Sequence, residues 1–356
     1  MENVYSQSKM FHFNDKLNKL AAGQVTPPVH VRIKPINACN HRCFYCCYRN
    51  DDLYLGQLMN EKDIIPRDKM KEIVRDLAAS GVKAVTFTGG GEPLIYPHIS
   101  ETVEGLYNNN IKVAALTNGG MLKNEVAEVF SKAASWVRIS IDSTDGKTLE
   151  KSRGVNRAEF DKIINNIKSF SAMKNSDCEL GINFIITQYN ASDVFDFIAL
   201  MKDSGADHVK ISECIVSTNG RDNKEYHHGH FNEVLAAIEK SETELADSSF
   251  KVINKFHDFD DKFEKQYNTC PFIHFLNVIA ADLHVYTCQD KAYTDSGSLG
   301  SIQDMSLSDL WASENYRKNL KKLNPSKDCE HHCVAHGKNL SLHDYLTTDF
   351  RHLEFV

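Results

Sequence analysis

No apolar run in the 356-residue chain approaches membrane-spanning length, and no block of basic residues occurs. The first absence excludes a spanning helix, which needs about 20 apolar residues. The second, with a net charge of −7 spread along the chain, leaves no electrostatic footprint for nucleic acid or a membrane surface. The opening MENVYSQSKMFHFNDKLNKL lacks the apolar core of a signal peptide, so a cytoplasmic location is expected. Low-complexity tracts are also missing. Two close cysteine pairs, the usual source of structural zinc ligands, do not occur near one another. Cysteine itself is plentiful, with ten residues. In a reducing compartment that number points to metal or redox chemistry more than to disulfides.

After a polar lead-in over residues 1–28, short apolar runs alternate with helical patterns. VHVRIKPI, KAVTFTGG, IKVAALTNGG, WVRISID, LGINFIIT and HVKISEC read as strands. The segment RDKMKEIVRDLAASG places Met70, Ile73, Val74 and Leu77 on one helical face, with Gly81 as C-terminal cap. Four more helical patterns fill the other gaps. Six strand–helix units in succession imply a parallel sheet with right-handed crossovers, open or closed as a barrel. Several strands alternate polar and apolar residues: His30, Arg32 and Lys34 share a face, as do Arg138, Ser140 and Asp142, and His208, Lys210, Ser212 and Cys214. With helices covering the apolar faces, the polar ones point inward. The expected class is α/β: a partial (β/α)6 barrel over 29–214, then linker helices and a small cysteine-rich domain over 215–356.

The loop after the first strand reads CNHRCFYC (39–46). Three thiols in one loop suit an iron–sulfur cluster that leaves one iron without a protein ligand. Cys47 follows directly and is read as packing. Cys39-x3-Cys43-x2-Cys46, with Tyr45 before the last cysteine, resembles the signature of the radical S-adenosylmethionine (SAM) superfamily. TGGGEP (88–93), LTNG (116–119), ISID (139–142) and KSRG (151–154) resemble that family's later motifs, in order, over roughly residues 29–214.

The resemblance implies that Cys39, Cys43 and Cys46 ligate a [4Fe–4S] cluster whose fourth iron is chelated by SAM. Reductive cleavage of SAM then yields a 5′-deoxyadenosyl radical that removes a hydrogen atom from substrate. It also implies cofactor contacts. Gly89, Gly90 and Gly91 lie against the methionine, Glu92 accepts from its amino group, and Pro93 stiffens the turn. Thr117 and Asn118 end the third strand. Ser140 and Asp142 suit the ribose or the methionine end, and Arg153 its carboxylate. The extra glycine in GGGEP departs from the usual pair.

Cys270, Cys288, Cys329 and Cys333 remain, with gaps of 17, 40 and 3 residues. The segment from Cys270 to Cys288 reads as a β-hairpin flanked by thiols. The set resembles the twitch domain, a shortened SPASM extension, which implies a second, auxiliary [4Fe–4S] cluster. Leu283 stands where that family usually has glycine, which puts the hairpin turn in question. A zinc site built from the same four thiols is the alternative. HHGH (227–230) reads as a solvated loop.

A fully ligated cluster suits electron transfer. Two outcomes therefore stand open: two-electron oxidation (dehydrogenation) of the substrate, or epimerisation with a thiol returning hydrogen. Cys214, ending the sixth strand, is the candidate donor. Inward-facing Arg32, Lys34 and Lys210 favour a polar substrate, anionic groups included, such as a sugar, cyclitol or nucleotide. About 28 residues precede the first strand, which lowers the expectation of a ribosomally made peptide as substrate. The expected partners are that small molecule and a flavodoxin- or ferredoxin-type electron donor, without nucleic acid or membrane. A non-catalytic iron–sulfur or zinc protein is the remaining alternative.

Overall fold

Strands too short to bury their own faces, separated by amphipathic helices, leave one solution: parallel strands with the helices packed outside them. A computed structural model of the chain, describing residues 5–53, 55–257, 262–349 and 351, shows this arrangement. The strands β1 (His30–Ile33), β2 (Ala84–Phe87), β3 (Lys112–Thr117), β4 (Ala134–Ser140), β5 (Glu179–Ile186) and β6 (His208–Glu213) pair in parallel, each with the next in sequence. Outside them lie α2 (Arg67–Ala79), α3 (Ile99–Asn108), α4 (Asn124–Ala133), α6 (Ala158–Met173) and α7 (Val194–Asp203). Alternate strand residues, such as Val31, Ile33, Val85, Phe87, Val137, Ile139, Val209 and Ile211, are buried in the main apolar core. Met70, Ile73, Val74 and Leu77 of α2 join them, and Gly81 turns the chain with φ +72°.

Three elements escape the sequence pattern. The lead-in contains α1 (Asn14–Ala21), and its Tyr5 hydroxyl meets the His208 ring at 2.9 Å. KSRG is the end of a helix, α5 (Gly146–Arg153), capped by the Asp145 carboxylate accepting from Thr148 N at 2.8 Å. Beyond β6, α8 (Gly220–His228) and α9 (Phe231–Glu244) lead to a seventh parallel strand, β7 (Lys251–Asn254), paired with β6. HHGH is therefore not a solvated loop. His227 is buried, and its Nε2 bonds the Cys214 carbonyl at 2.9 Å.

The late hairpin joins the same sheet. β8 (Leu276–Ile279) runs parallel to β1 on its free edge, with His30 opposite Leu276 and Ile33 opposite Ile279. β9 (His284–Tyr286) returns antiparallel to β8, and β10 (Ser298–Ser301) pairs with β9. The order β10-β9-β8-β1-β2-β3-β4-β5-β6-β7 leaves the ten-stranded sheet open. Leu283 forms the hairpin turn in the left-handed region, at φ +61°. The turn exists without glycine, and the strain of the non-glycine residue there is about 1–2 kcal/mol. Four helices follow: α10 (Leu307–Ala312), α11 (Glu314–Leu320), α12 (Pro325–Asp328) and α13 (His336–Thr347). Trp311 and Tyr316 both donate to the Asn277 side-chain oxygen in β8, tying α10 and α11 to the hairpin. Among the described residues, no helix is long and apolar enough to cross a membrane.

Candidate active site and second thiol site

The loop of Cys39, Cys43 and Cys46 sits where β1 ends, and all three thiols are half-buried and free. Two backbone bonds, Arg42 N to Arg153 O (2.8 Å) and Phe44 N to Ser152 O (3.2 Å), hang it on the end of α5. From the other side, Gly91 N donates to Ile36 O and Glu92 N to Ala38 O. A Cβ on Gly91 would overlap the Ala38 carbonyl, and one on Gly90 would overlap the Asn37 side chain. The glycines thus let the end of β2 press against the segment leading into Cys39.

These residues line one wall of a cavity of about 460 Å³ at the C-terminal ends of the strands. Cys39, Cys43, Tyr45, Cys46, Gly89, Gly90, Gly91, Ser140 and Arg153 all face it. Several others named from sequence lie behind that wall. Asp142 is fully buried and receives Arg153 through two nitrogens, at 2.9–3.1 Å, together with the Tyr45 hydroxyl. Its carboxylate therefore orients Arg153 and Tyr45 instead of lining the cavity. Glu92 is likewise occupied by the protein. It accepts from Thr117 Oγ1 (2.6 Å), Asn118 N (2.8 Å) and Leu94 N (3.0 Å), which clamps the end of β2 to that of β3. Burial pushes the Glu92 carboxyl above its usual pKa. Asn118 passes the contact on, donating to Asn40 Oδ1 of the thiol loop at 2.7 Å. Pro93 opens a short 3₁₀ turn, Pro93–Ile95, below the glycines.

Cys214 is 1% exposed and does not line the cavity, whereas its neighbours Glu213 and Ile215 do. The strand alternation that put Cys214 beside Lys210 and Ser212 breaks where β6 ends at Glu213. Cys47, read as packing, lines the cavity instead. The inward cations also differ from expectation. Lys34 is buried, bonds Tyr48 Oη (2.6 Å) and the Gly89 carbonyl, and burial lowers its pKa to about 8. Arg32 faces a different cavity, and Lys210 lines neither.

That other cavity, of about 370 Å³, gathers Cys270, Cys288, Cys329 and Cys333 with Arg32 and Lys265. The four thiols arrive from four places: before a 3₁₀ turn (Pro271–His274), after β9, after α12, and just before α13. Asn339 of α13 holds Cys270 Sγ at 3.3 Å and accepts from Phe272 N at 3.0 Å. Burial raises the thiol pKa values, to about 12 for Cys270 and Cys333 and about 11 for Cys329. Four thiols, Cys329 buried and the others half-buried, share one cavity with cations beside them and form a donor set that suits a metal cluster, because coordination supplies the positive charge that makes thiolates stable there. Gln289, Asp290, His331 and Val334 line both cavities and so form the wall between them.

Comparison with known proteins assigns two domains. Residues 33–198 match the radical SAM superfamily, and residues 270–334 match SPASM, an iron–sulfur cluster-binding domain. The chain carries a radical SAM domain. The second match begins at Cys270 and ends one residue past Cys333. The iron–sulfur domain of residues 270–334 therefore continues the sheet from the β1 edge, and the cofactors are SAM and two [4Fe–4S] clusters.

Among curated relatives, a probable GTP 3′,8-cyclase of Sulfurisphaera tokodaii is 26% identical over 218 residues, covering 61% of this chain and 64% of that protein. One of Methanocaldococcus jannaschii is 29% identical over 177 residues, 49% of this chain and 56% of that protein. The chain thus spans less than two thirds of the length of these relatives. Among solved structures, Streptococcus suis SuiB bound to S-adenosylmethionine superposes with a TM-score of 0.63 at 17% identity, covering 93% of this chain and 80% of that one. Native anSMEcpe with bound AdoMet gives 0.59 at 16% identity, covering 90% and 96%. At such identities the likeness is one of fold.

Proposed function

We propose that this radical SAM enzyme removes a hydrogen atom from a C–H bond of a polar small molecule and completes a two-electron oxidation of it. The observation that carries this reading is the shared wall. A cavity lined by the three-thiol loop abuts a cavity lined by four further thiols, with Gln289, Asp290, His331 and Val334 common to both. Cys39, Cys43 and Cys46 would hold the SAM-binding cluster, and Cys270, Cys288, Cys329 and Cys333 the auxiliary one. When bound, the first site would supply a 5′-deoxyadenosyl radical that takes the hydrogen atom and the second a one-electron acceptor, with the accompanying proton released to a base or solvent.

The remaining work falls to this chain's own residues. Gly89, Gly90 and Gly91 keep the floor of the cavity free of side chains, and Ser140 offers a hydroxyl. Arg153, fixed by Asp142 through two nitrogens, would spend its remaining edge on the SAM carboxylate. Thr117, Asn118 and Glu92 hold the thiol loop against the strand ends. Gln289, Asp290, His331 and Val334 separate the two sites.

The curated relatives named GTP 3′,8-cyclase suggest a nucleotide, but among the described residues the cavity has no unpaired arginine or lysine for a triphosphate. Its lining cations are Arg49, bonded to Glu61 and the Asn37 carbonyl, and Arg153, bonded to Asp142. A second reading, epimerisation, is favoured by one observation. A thiol does line the cavity, that of Cys47, and it would replace the buried Cys214 as hydrogen donor. Mass spectrometry of a host metabolite extract incubated with reduced enzyme and SAM in D₂O tests both. A product two mass units lighter supports oxidation. A product one unit heavier, abolished by Cys47→Ala, supports epimerisation and defeats it.

A further inference from the structure

Glu213 is the least explained group in the cavity lined by the three-thiol loop. It sits at the end of β6, is 6% exposed, and lines the cavity, yet its Oε2 has no hydrogen-bond partner. His332, from the segment between Cys329 and Cys333, faces it across the same cavity. His332 Nε2 lies 3.6 Å from Glu213 Oε1, and that nitrogen is also buried without a partner. At 3.6 Å the two are too far apart to satisfy each other by a hydrogen bond, so Glu213 Oε2 is left desolvated and unsatisfied beside the cavity whichever His332 nitrogen carries the proton. A donor placed against it removes that penalty. Asp290, from the wall between the cavities, adds another acceptor lining the same space. Behind the lining, His257 Nδ1 lies 3.6 Å from Glu213 Oε2, and Lys210 and Lys262 act on the carboxylate through space, but none of the three lines the cavity.

Resting on the oxidation of a polar small molecule proposed above, we infer that Glu213 and His332 form the subsite that orients the substrate. It takes a hydrogen-bond-donating group, an ammonium or a hydroxyl, and rejects a phosphate or carboxylate. Glu213 and Asp290 line the cavity, whereas the cations that act on Glu213 do not line it and both lining arginines are paired with carboxylates, so an anion would be disfavoured there. The inference reverses the anionic preference that Arg32, Lys34 and Lys210 suggest in the sequence. Those three cations lie outside this cavity.

The test uses a host metabolite extract separated by ion exchange into cationic, neutral and anionic fractions. Each is incubated with the fully reconstituted enzyme, SAM and reductant, and 5′-deoxyadenosine formed above the extract-free level is measured with the accompanying mass change. The expected signal lies in the cationic fraction if the group is an ammonium, and in the neutral fraction if it is a hydroxyl. Glu213→Gln should raise the amount of that fraction needed for half-maximal signal about tenfold or more. His332→Gln serves as the second variant, and iron content with circular dichroism checks that each has folded. A signal confined to the anionic fraction overturns the subsite alone. So does an unchanged half-maximal amount in both folded variants. A stoichiometric divalent metal other than cluster iron, lost in Glu213→Gln, assigns the pair to that metal and also overturns the subsite. No signal in any fraction, with SAM still cleaved, overturns the small-molecule reading itself.

Discussion

Cys39, Cys43 and Cys46 come from one eight-residue loop, whereas Cys270, Cys288, Cys329 and Cys333 come from four separate elements with gaps of 17, 40 and 3 residues. The first set is local in sequence, but its position is not. The loop is held by Arg153 and Ser152 on one side and by the glycines after β2 on the other. The second set is scattered in sequence and depends on α13 meeting the 3₁₀ turn before β8, through Asn339. The three-thiol site opens onto the larger cavity, where a ligand can approach. The four-thiol site uses all its thiols on the cavity behind. The difference teaches that spacing alone identifies an open site, while a closed one needs the tertiary fold to assemble.

The sharpest way to break the comparison is to remove one site and keep the other. Replacing Cys39, Cys43 and Cys46 together with alanine should abolish 5′-deoxyadenosine formation and leave about four irons per chain. An iron-free variant would mean the two sites are not independent. Next in size is the buried pair behind the first site. Asp142→Ala strands Arg153, which is 3% exposed, and should lower stability by about 3–5 kcal/mol in chemical denaturation. A loss under about 1 kcal/mol would show that Arg153 finds another partner or water.

Gly91→Ala forces the end of β2 away from Ala38. Overpacking of this kind is expected to lower stability by about 1–3 kcal/mol, and iron uptake at the three-thiol site should fall with it. Normal uptake of iron by both sites would show that the loop tolerates the shift. The smallest effect is expected at the hairpin of the second site. Leu283→Gly relieves about 1–2 kcal/mol of left-handed strain but loses apolar contact and adds unfolded-state entropy of similar size. Its net change should stay within about 1 kcal/mol. Leu283→Val should be clearly destabilising, because a β-branched residue fits that region poorly. Equal denaturation midpoints for the two would remove strain from the account.

Much of this was legible before any coordinates. β1 to β6 follow from alternation and from the helical faces between them, and the thiol loop from its spacing. β7 was not legible. KVIN is four residues with no fully buried position, so its exposure carries no alternation to read. Nor does any pattern reveal that β8 pairs with β1, since edge pairing depends on which surface is free. Motif matching found the right neighbourhood for Glu92, Thr117, Asn118 and Asp142, but hydrogen bonding places them behind the cavity wall. Cys214 shows the limit of period-two reasoning at a strand end. The approach of Glu213 to His332 gives no signal, because the two lie more than a hundred residues apart.

The pairing of β8 with β1 has a consequence for synthesis. Val31 and Ile33 leave the ribosome early, yet the strand that covers that edge of β1 arrives only with residues 276–279. Until then the nascent barrel shows an unpaired edge, open to another chain. A chain arrested near residue 250 is therefore expected to self-associate or engage a chaperone, and one released past the hairpin to stay monomeric, as sedimentation of the two would show. The iron–sulfur domain, on this view, is also the barrel's last stave: it closes the edge that translation leaves bare longest.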